Sequence, residues 1–406
     1  MRRFSLKASW GYSLIALKNV SRRLGWFVEH LTLRKVANAL IACTQFILKH
    51  EVMKAWPVIV KVDISPLCNL QCTICVHARP TESSSAALKA QTFSGNQKMR
   101  LDQFKRIVDE LSGKSVAISM YYLGDPFVHP DLDSLCRMAS DAGLNSHVST
   151  NFSFVLSDQR IADIVTSGLT HLTVCVDGLS QETYGRTRVG GRIDVVLGNL
   201  ERLMQCRRKL GRRYPRVEVQ FIKFQHNVDE LQEANRRFRA LGVDQIVDFW
   251  GTLHNFTDFN SDQDAQLTPK KDKRLPQCYW PHFALLIKFN GDVIPCCSHR
   301  LESQYSKLGD QRNVGNVFNT SIWDVWNSRQ YQALRRIVSN PGRIEKEIGL
   351  TRTFCAGCPK IFDTKIDRLV RTGDKYRWED LYTLDERSRV VRKPAAEPER
   401  ADSGLP

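Results

Sequence analysis

Residues 61–80 read KVDISPLCNLQCTICVHARP. An apolar, strand-like run from Val58 to Ile64 leads into Cys68, Cys72 and Cys75, a C-x3-C-x2-C triplet. Three thiolates this close can converge on one metal centre. A closed structural zinc site takes four protein ligands, and His77 is the local candidate for a fourth. Iron–sulfur clusters are held by Cys thiolates, and a cubane with three protein ligands keeps one iron open to a small molecule. The triplet therefore allows three assignments: a zinc knuckle, three buried thiols, or an open cluster.

Outward from the triplet, strand-like and helix-like runs alternate. Strands are expected at 58–65, 115–123, 146–151, 171–177, 217–224 and 245–250, and helices near 101–112, 131–142, 158–168, 192–209 and 229–241. Such alternation implies parallel strands with crossover helices. Six units make an α/β fold, a partial (β/α)6 barrel of the TIM type, with its ligand site at the C-terminal strand ends. The triplet falls on that edge, just past the first strand.

The chain has 406 residues, 42% of them hydrophobic, enough for one large and one smaller domain. No secretory signal is evident, so the 12 Cys are expected as ligands in a cytoplasmic protein rather than as disulfides. Net charge is +16, and residues 1–56 carry ten bases against Glu29 and Glu51, half of the excess. The remainder is unremarkable, so no specific nucleic-acid partner is expected. Residues 1–56 read as a basic helical extension with Trp10, Trp26 and Phe27. It is either a packed cap or a peripheral contact with anionic membrane; Val36 to Leu48 is too short and interrupted to span one. Residues 57–255 form the barrel, 256–277 a linker, 278–365 a second domain, and 366–406 a tail, largely disordered from 386. Residues 81–98, small and polar, are a disordered insertion or a lid.

A second cysteine set lies downstream. Cys278 is followed by twelve residues, Gly291, four more and Cys296, and later by Cys355 and Cys358. Gly291 sits in FNGDVIPCC, an Asn-Gly hairpin turn that carries Cys296 back toward Cys278 and is expected to pack over the open end of the barrel. Four thiolates at these spacings also suit zinc. Cys43, Cys136, Cys175 and Cys206 read as buried small apolar residues.

The triplet resembles the signature of the radical S-adenosylmethionine (SAM) family, in which the open iron chelates SAM. C-x12-G-x4-C with a distal C-x2-C resembles the auxiliary-cluster domain called SPASM, or its shortened form, twitch. The resemblance covers about residues 58–365 and lacks the extra cysteines of a full SPASM domain. It implies one open [4Fe-4S] cluster on Cys68, Cys72 and Cys75, and one closed auxiliary [4Fe-4S] cluster on Cys278, Cys296, Cys355 and Cys358. Gly124, Asp125 and Pro126, in YYLGDPFVHP, stand where the family usually has Gly-Glu-Pro beside the SAM ammonium; Asp for Glu is a departure. Asn151, Asp177 and Arg188 fall where SAM-binding positions are expected, and Ile74 resembles the position near the adenine.

Taken singly, these residues also suit a turn, a helix N-cap and a solvated charge. The resemblance implies reductive cleavage of SAM to a 5′-deoxyadenosyl radical that takes hydrogen from a substrate. Flavodoxin or ferredoxin would supply the electron, and the auxiliary cluster would relay one. The outcome would be oxidation or modification of a peptide, sugar or other small molecule. Rival readings are an epimerase or C–C bond-forming enzyme on a lipid- or sugar-linked substrate, and a zinc-stabilised nucleic-acid-binding protein.

Overall fold

The computed structural model describes residues 27–73, 75–78, 95–251, 265–297, 313–356, 358, 360–364, 382–384 and 390–392. Residues 1–26, Ile74 and most of 81–98 lie outside them. Helix α1 (Leu33–Ile47) precedes β1 (Ile59–Val62), α2 (Leu101–Leu111), β2 (Ala117–Ser119), α3 (Leu132–Asp141), β3 (Asn145–Thr150) and α4 (Asp158–Thr166). Then come β4 (His171–Cys175), α5 (Gln181–Gly185), α6 (Ile193–Lys209), β5 (Arg216–Lys223), α7 (Leu231–Leu241) and β6 (Gln245–Trp250). The C-terminal part holds β7 (Ala265–Pro269), α8 (Trp280–Phe283), β8 (Ala284–Ile287), β9 (Val293–Ile294), α9 (Ile322–Trp326), α10 (Arg329–Ser339), β10 (Phe362–Thr364), β11 (Tyr382–Leu384) and β12 (Val390–Arg392).

One eight-stranded sheet runs β6-β5-β4-β3-β2-β1-β8-β9. All neighbours are parallel except β8 and β9. Its first six strands are the partial barrel expected from the alternation. Each strand alternates faces with period two. Val60, Val62, Ile118, Val148, Leu172, Val174, Val217 and Val219 are fully buried in the apolar core. The helices supply matching stripes, such as Phe104, Ile107, Val108 and Leu111 on α2, and Val196, Leu200, Leu203 and Met204 on α6. The other face of β1 to β5 carries Lys61, Ser119, His147, Thr173, Glu218 and Gln220, and it lines a cavity. A closed barrel packs that space with branched apolar side chains; here it is open, with polar strand side chains facing aromatic ones such as Phe27, Trp280 and Phe283.

Three stretches differ from expectation. Within 256–277, read as a linker, residues 265–269 form β7 and pair antiparallel with β10. Within the tail, β12 pairs with β11, beyond the point where disorder was expected. The Gly291 hairpin does not cover the open end of the barrel. It extends the sheet, because β8 pairs parallel with β1 (Ile59↔Ala284 to Val62↔Ile287) and leaves the hairpin beside it. Gly291 has φ +87°, and a Cβ there would meet Phe318 at 2.4 Å, so the turn needs glycine.

Arg335 ties the parts together. It is fully buried and donates to the carbonyls of Pro281 (2.8 Å), Glu51 (2.8 Å) and Trp326 (2.7 Å). Burial pushes its pKa down to about 9, and with three carbonyls around it the guanidinium stays charged at neutral pH.

Candidate active site

Cys68, Cys72 and Cys75 lie on the loop after β1, at the C-terminal edge of the sheet. The loop is held by a strand-like exchange: Gln71 N–H donates to Val189 O (2.9 Å) and Thr73 N–H to Thr187 O (3.0 Å). On its other side Gly124 packs against it. A Cβ at Gly124 would lie 2.3 Å from the Ser65 and Leu67 carbonyl oxygens, so only glycine permits the approach. Asp125 N–H donates to Leu67 O (2.8 Å). Cys68 Sγ faces the N–H of Leu70 (3.5 Å) and the Asn151 amide (3.8 Å), donors of the kind that tune a cluster sulfur. Burial, with the Asp125 carboxylate adding to it, pushes the Cys68 thiol above its ordinary range; burial also raises Cys72. His77 turns toward the Leu123 carbonyl, 3.2 Å from its Nε2, and so has a structural partner where a fourth metal ligand was considered.

Asp125 is buried, and both its oxygens are engaged. One accepts from Phe127 N–H (3.0 Å), the other from Asn151 N–H (2.7 Å), and the Thr150 hydroxyl reaches both (2.9 Å). The carboxylate therefore clamps the end of β3 to the turn after β2. Backbone carbonyls of the turn, not this side chain, are left to meet an ammonium. Asn151 donates to Asn69 Oδ1 (2.9 Å) and accepts from Ser153 N–H (2.8 Å). Asp177 accepts from Arg188 Nε (2.6 Å) and Ile222 N–H (2.9 Å). Burial opposes charge on Arg188, but Asp177 and the nearby thiols outweigh it and hold its pKa well above the usual range. Arg188 is thus paired and sits against Cys72. Asn227, not singled out from sequence, supports this edge through the carbonyls of Asp177 (2.9 Å) and Ile222 (2.8 Å).

Below this edge lies a cavity of about 240 Å³. Lys61, Tyr121, His147, Ser149, Glu218 and Gln220 are among its walls, with Phe27 and Trp280. Lys61 Nζ stands 3.9 Å above the Tyr121 ring, and His147 Nε2 is 2.9 Å from Thr173 Oγ1. An engineered cavity of about 150 Å³ holds benzene, so this one has room for a small molecule or a side chain. Sequence reading passed over these residues. Their signal was a polar residue at every second position, Lys61 between Val60 and Val62, Glu218 between Val217 and Val219.

Cys278, Cys296, Cys355 and Cys358 converge on one hollow, otherwise lined chiefly by Trp280, Pro281, Pro295, Val338 and Ile361. Cys278 precedes β8 and Cys296 follows β9, so the hollow lies at the N-terminal edge of the strands, opposite the triplet. Trp280 lines both hollow and cavity. Burial raises the Cys278 and Cys358 thiols, Cys358 to about 11, so a metal centre is what would ionise them. Cys297, next to Cys296, is absent from the hollow's lining. Cys136 and Cys175 are buried as expected, whereas Cys206 is partly buried and Cys43 is exposed on α1.

Two family models match the chain: the Radical SAM superfamily over residues 62–210, and the SPASM iron–sulfur cluster-binding domain over residues 278–359, together more than half of it. A tungsten-containing aldehyde ferredoxin oxidoreductase cofactor-modifying protein of Pyrococcus furiosus is 24% identical over 69% of this chain and 83% of its own. A PqqA peptide cyclase of Rhodopseudomonas palustris is 30% identical over 33% of this chain and 32% of its own. Among solved structures, Streptococcus suis SuiB bound to S-adenosylmethionine superposes with a TM-score of 0.52 at 15% identity, covering 80% of this chain and 79% of that one. The donor sets fit the cofactors these families carry: three cysteines on one glycine-tightened loop, and four in an apolar hollow. The chain belongs to the radical SAM superfamily and carries a C-terminal SPASM domain, with a [4Fe-4S] cluster, S-adenosylmethionine and an auxiliary iron–sulfur cluster as its cofactors.

Proposed function

We propose that this chain oxidises a polar substrate, or a polar side chain, held inside the barrel between two cysteine sites. Cys68, Cys72 and Cys75 would hold the open cluster, and Cys278, Cys296, Cys355 and Cys358 the auxiliary one. Bound together, cluster and SAM supply a 5′-deoxyadenosyl radical, the hydrogen-abstracting agent. Gly124 brings the turn after β2 against the cysteine loop, and Asp125 fixes Asn151 beside Cys68. The Asp177–Arg188 pair closes the far side of the loop. The polar walls, Lys61, His147, Glu218 and Gln220 among them, would orient the substrate and select a hydrogen-bonding one. Trp280 would separate the substrate from the auxiliary site while keeping the two within electron-transfer reach. A flavodoxin or ferredoxin is the proposed donor.

The observation that carries this reading is the cavity itself. It runs from below the triplet edge to the wall of the four-cysteine hollow, with Trp280 in both linings. The test is anaerobic reconstitution of wild type and of a Cys68→Ala, Cys72→Ala, Cys75→Ala variant. The variant should retain about one cluster of iron and make no 5′-deoxyadenosine. Undiminished 5′-deoxyadenosine would sink the assignment.

A further inference from the structure

Helix α1 is amphipathic with its faces reversed. The face against the protein is mixed: Ala42 is fully buried and Phe46 packs on His282 and Phe283, but polar side chains anchor it. Lys35 is 1% exposed, and its ammonium donates to the carbonyls of His30 and Gly143. Asn38 exchanges two hydrogen bonds with the backbone of Trp56, at 2.8 and 3.0 Å. Gln45 accepts from the N–H groups of Lys54 (2.9 Å) and Ala55 (3.0 Å) and donates to Val52 O (3.2 Å). The docked face is therefore fixed by directional bonds, and the helix cannot roll to hide its other side. That other side carries Leu33, Val36, Leu40 and Ile47 at spacings of three, four and seven, flanked by Ile41 and Leu48, all exposed; Leu33 is 89% and Leu40 61% exposed. An apolar stripe of this length facing water marks an interaction surface.

We infer that this face of α1 docks on an anionic lipid surface. The occupant is chosen by charge. Residues 1–26, which lead directly into this surface, carry six bases (Arg2, Arg3, Lys7, Lys18, Arg22, Arg23) and no acid. They also hold Trp10, Tyr12 and Trp26, residue types enriched at membrane interfaces. A basic segment and an apolar helix face are the two signals that together give stable attachment, where either alone is marginal. Among the described residues no helix is long and apolar enough to cross a membrane. Phe27, at the joint between the two signals, also lines the barrel cavity, which sets the membrane contact beside the substrate space. The inference is independent of the chemistry proposed above.

The test is flotation of the full chain, with clusters reconstituted, on phosphatidylcholine vesicles with and without phosphatidylglycerol. Binding is expected only with the anionic lipid, and it should weaken as salt rises, because a basic segment on a charged surface is screened. Leu40→Gln, Ile47→Gln should weaken it at least tenfold without added charge, with 5′-deoxyadenosine formation unchanged as the check on folding. Replacing the six bases of residues 1–26 by Gln should abolish the lipid preference. Undiminished vesicle binding by the Leu40→Gln, Ile47→Gln variant overturns the inference. So does an absence of binding to anionic vesicles. In that case sedimentation shows what covers the face instead: a wild-type dimer that the Gln variant dissociates means a second copy, and an unchanged monomer means residues 1–26.

Discussion

Asp125→Asn sets two effects of the same carboxylate against each other. Each oxygen accepts one backbone N–H, from Phe127 and from Asn151. An amide can present its oxygen to only one of them, so the other buried N–H faces an NH2 group. A lost bond and an unmet buried donor together cost about 2–4 kcal/mol. Against this, burial pushes the Asp125 carboxyl up to about 6, and Asn carries no charge to bury. Because the folded pKa is raised above the unfolded value, the folded state binds the proton more readily between about pH 4 and pH 6. Wild-type stability from this group is therefore full below about pH 4, falls as pH rises through the window, and is level above about pH 6. A rise of about two pKa units corresponds to about 3 kcal/mol.

At pH 7 the two effects nearly cancel, and Asp125→Asn should lie within about 1 kcal/mol of wild type. Near pH 4 the wild-type carboxyl is neutral, its oxygens still accept, and the gap should widen to about 2–4 kcal/mol. Urea unfolding of metal-free protein at both pH values, followed by far-UV circular dichroism, measures the gap. Other carboxylates titrate alike in both proteins and drop out of the comparison. A gap that stays the same from pH 4 to pH 7 would refute the reasoning, since it would mean that burial has not raised this carboxyl.

Gly124→Ala places a Cβ 2.3 Å from two backbone carbonyl oxygens, which cannot give way as a side chain would. SAM affinity, read by calorimetry on reconstituted enzyme, should fall at least tenfold; wild-type affinity would refute the close approach. Trp280→Leu should leave 5′-deoxyadenosine formation intact and slow transfer of the substrate radical's electron to the auxiliary site, seen as a rising ratio of 5′-deoxyadenosine to oxidised product. An unchanged ratio removes Trp280 from the electron route. Arg335→Met deserts three carbonyls at 2.7–2.8 Å and should destabilise by about 3 kcal/mol or more, with Arg335→Lys nearly as costly because an ammonium cannot match the planar fork. Denaturant midpoints equal to wild type would show that water replaces the guanidinium.

The six barrel strands and the helices between them were legible because each strand and helix carries its own period. Helix α6 repeats apolar residues at three and four, and the strands alternate at two, so local sequence dictates both the element and the face it buries. The convergence of the second cysteine set was legible for a related reason: spacing is a local property, and Cys278, Cys296, Cys355 and Cys358 meet in one hollow. The Gly291 turn was legible too, but not the side of the barrel it would join, because that depends on which edge of the sheet is open, and β1 offers it to β8. Asp125 stood out in the sequence by its Gly-Asp-Pro setting, yet only the approach of β3 showed that Thr150 and Asn151 occupy its oxygens. The same holds for the lumen. Lys61, His147 and Glu218 stand far apart in the chain, and parallel pairing sets them around one cavity. Helix α1 marks the limit of pattern reading. An amphipathic helix ordinarily turns its apolar stripe inward, but here Lys35 donates to His30 and Gly143, and Asn38 and Gln45 bond the backbone of residues 52–56 just after the helix. Of these only the Lys35–Gly143 bond reaches the barrel, so the face left outside is decided by how the segment folds back on itself and then docks.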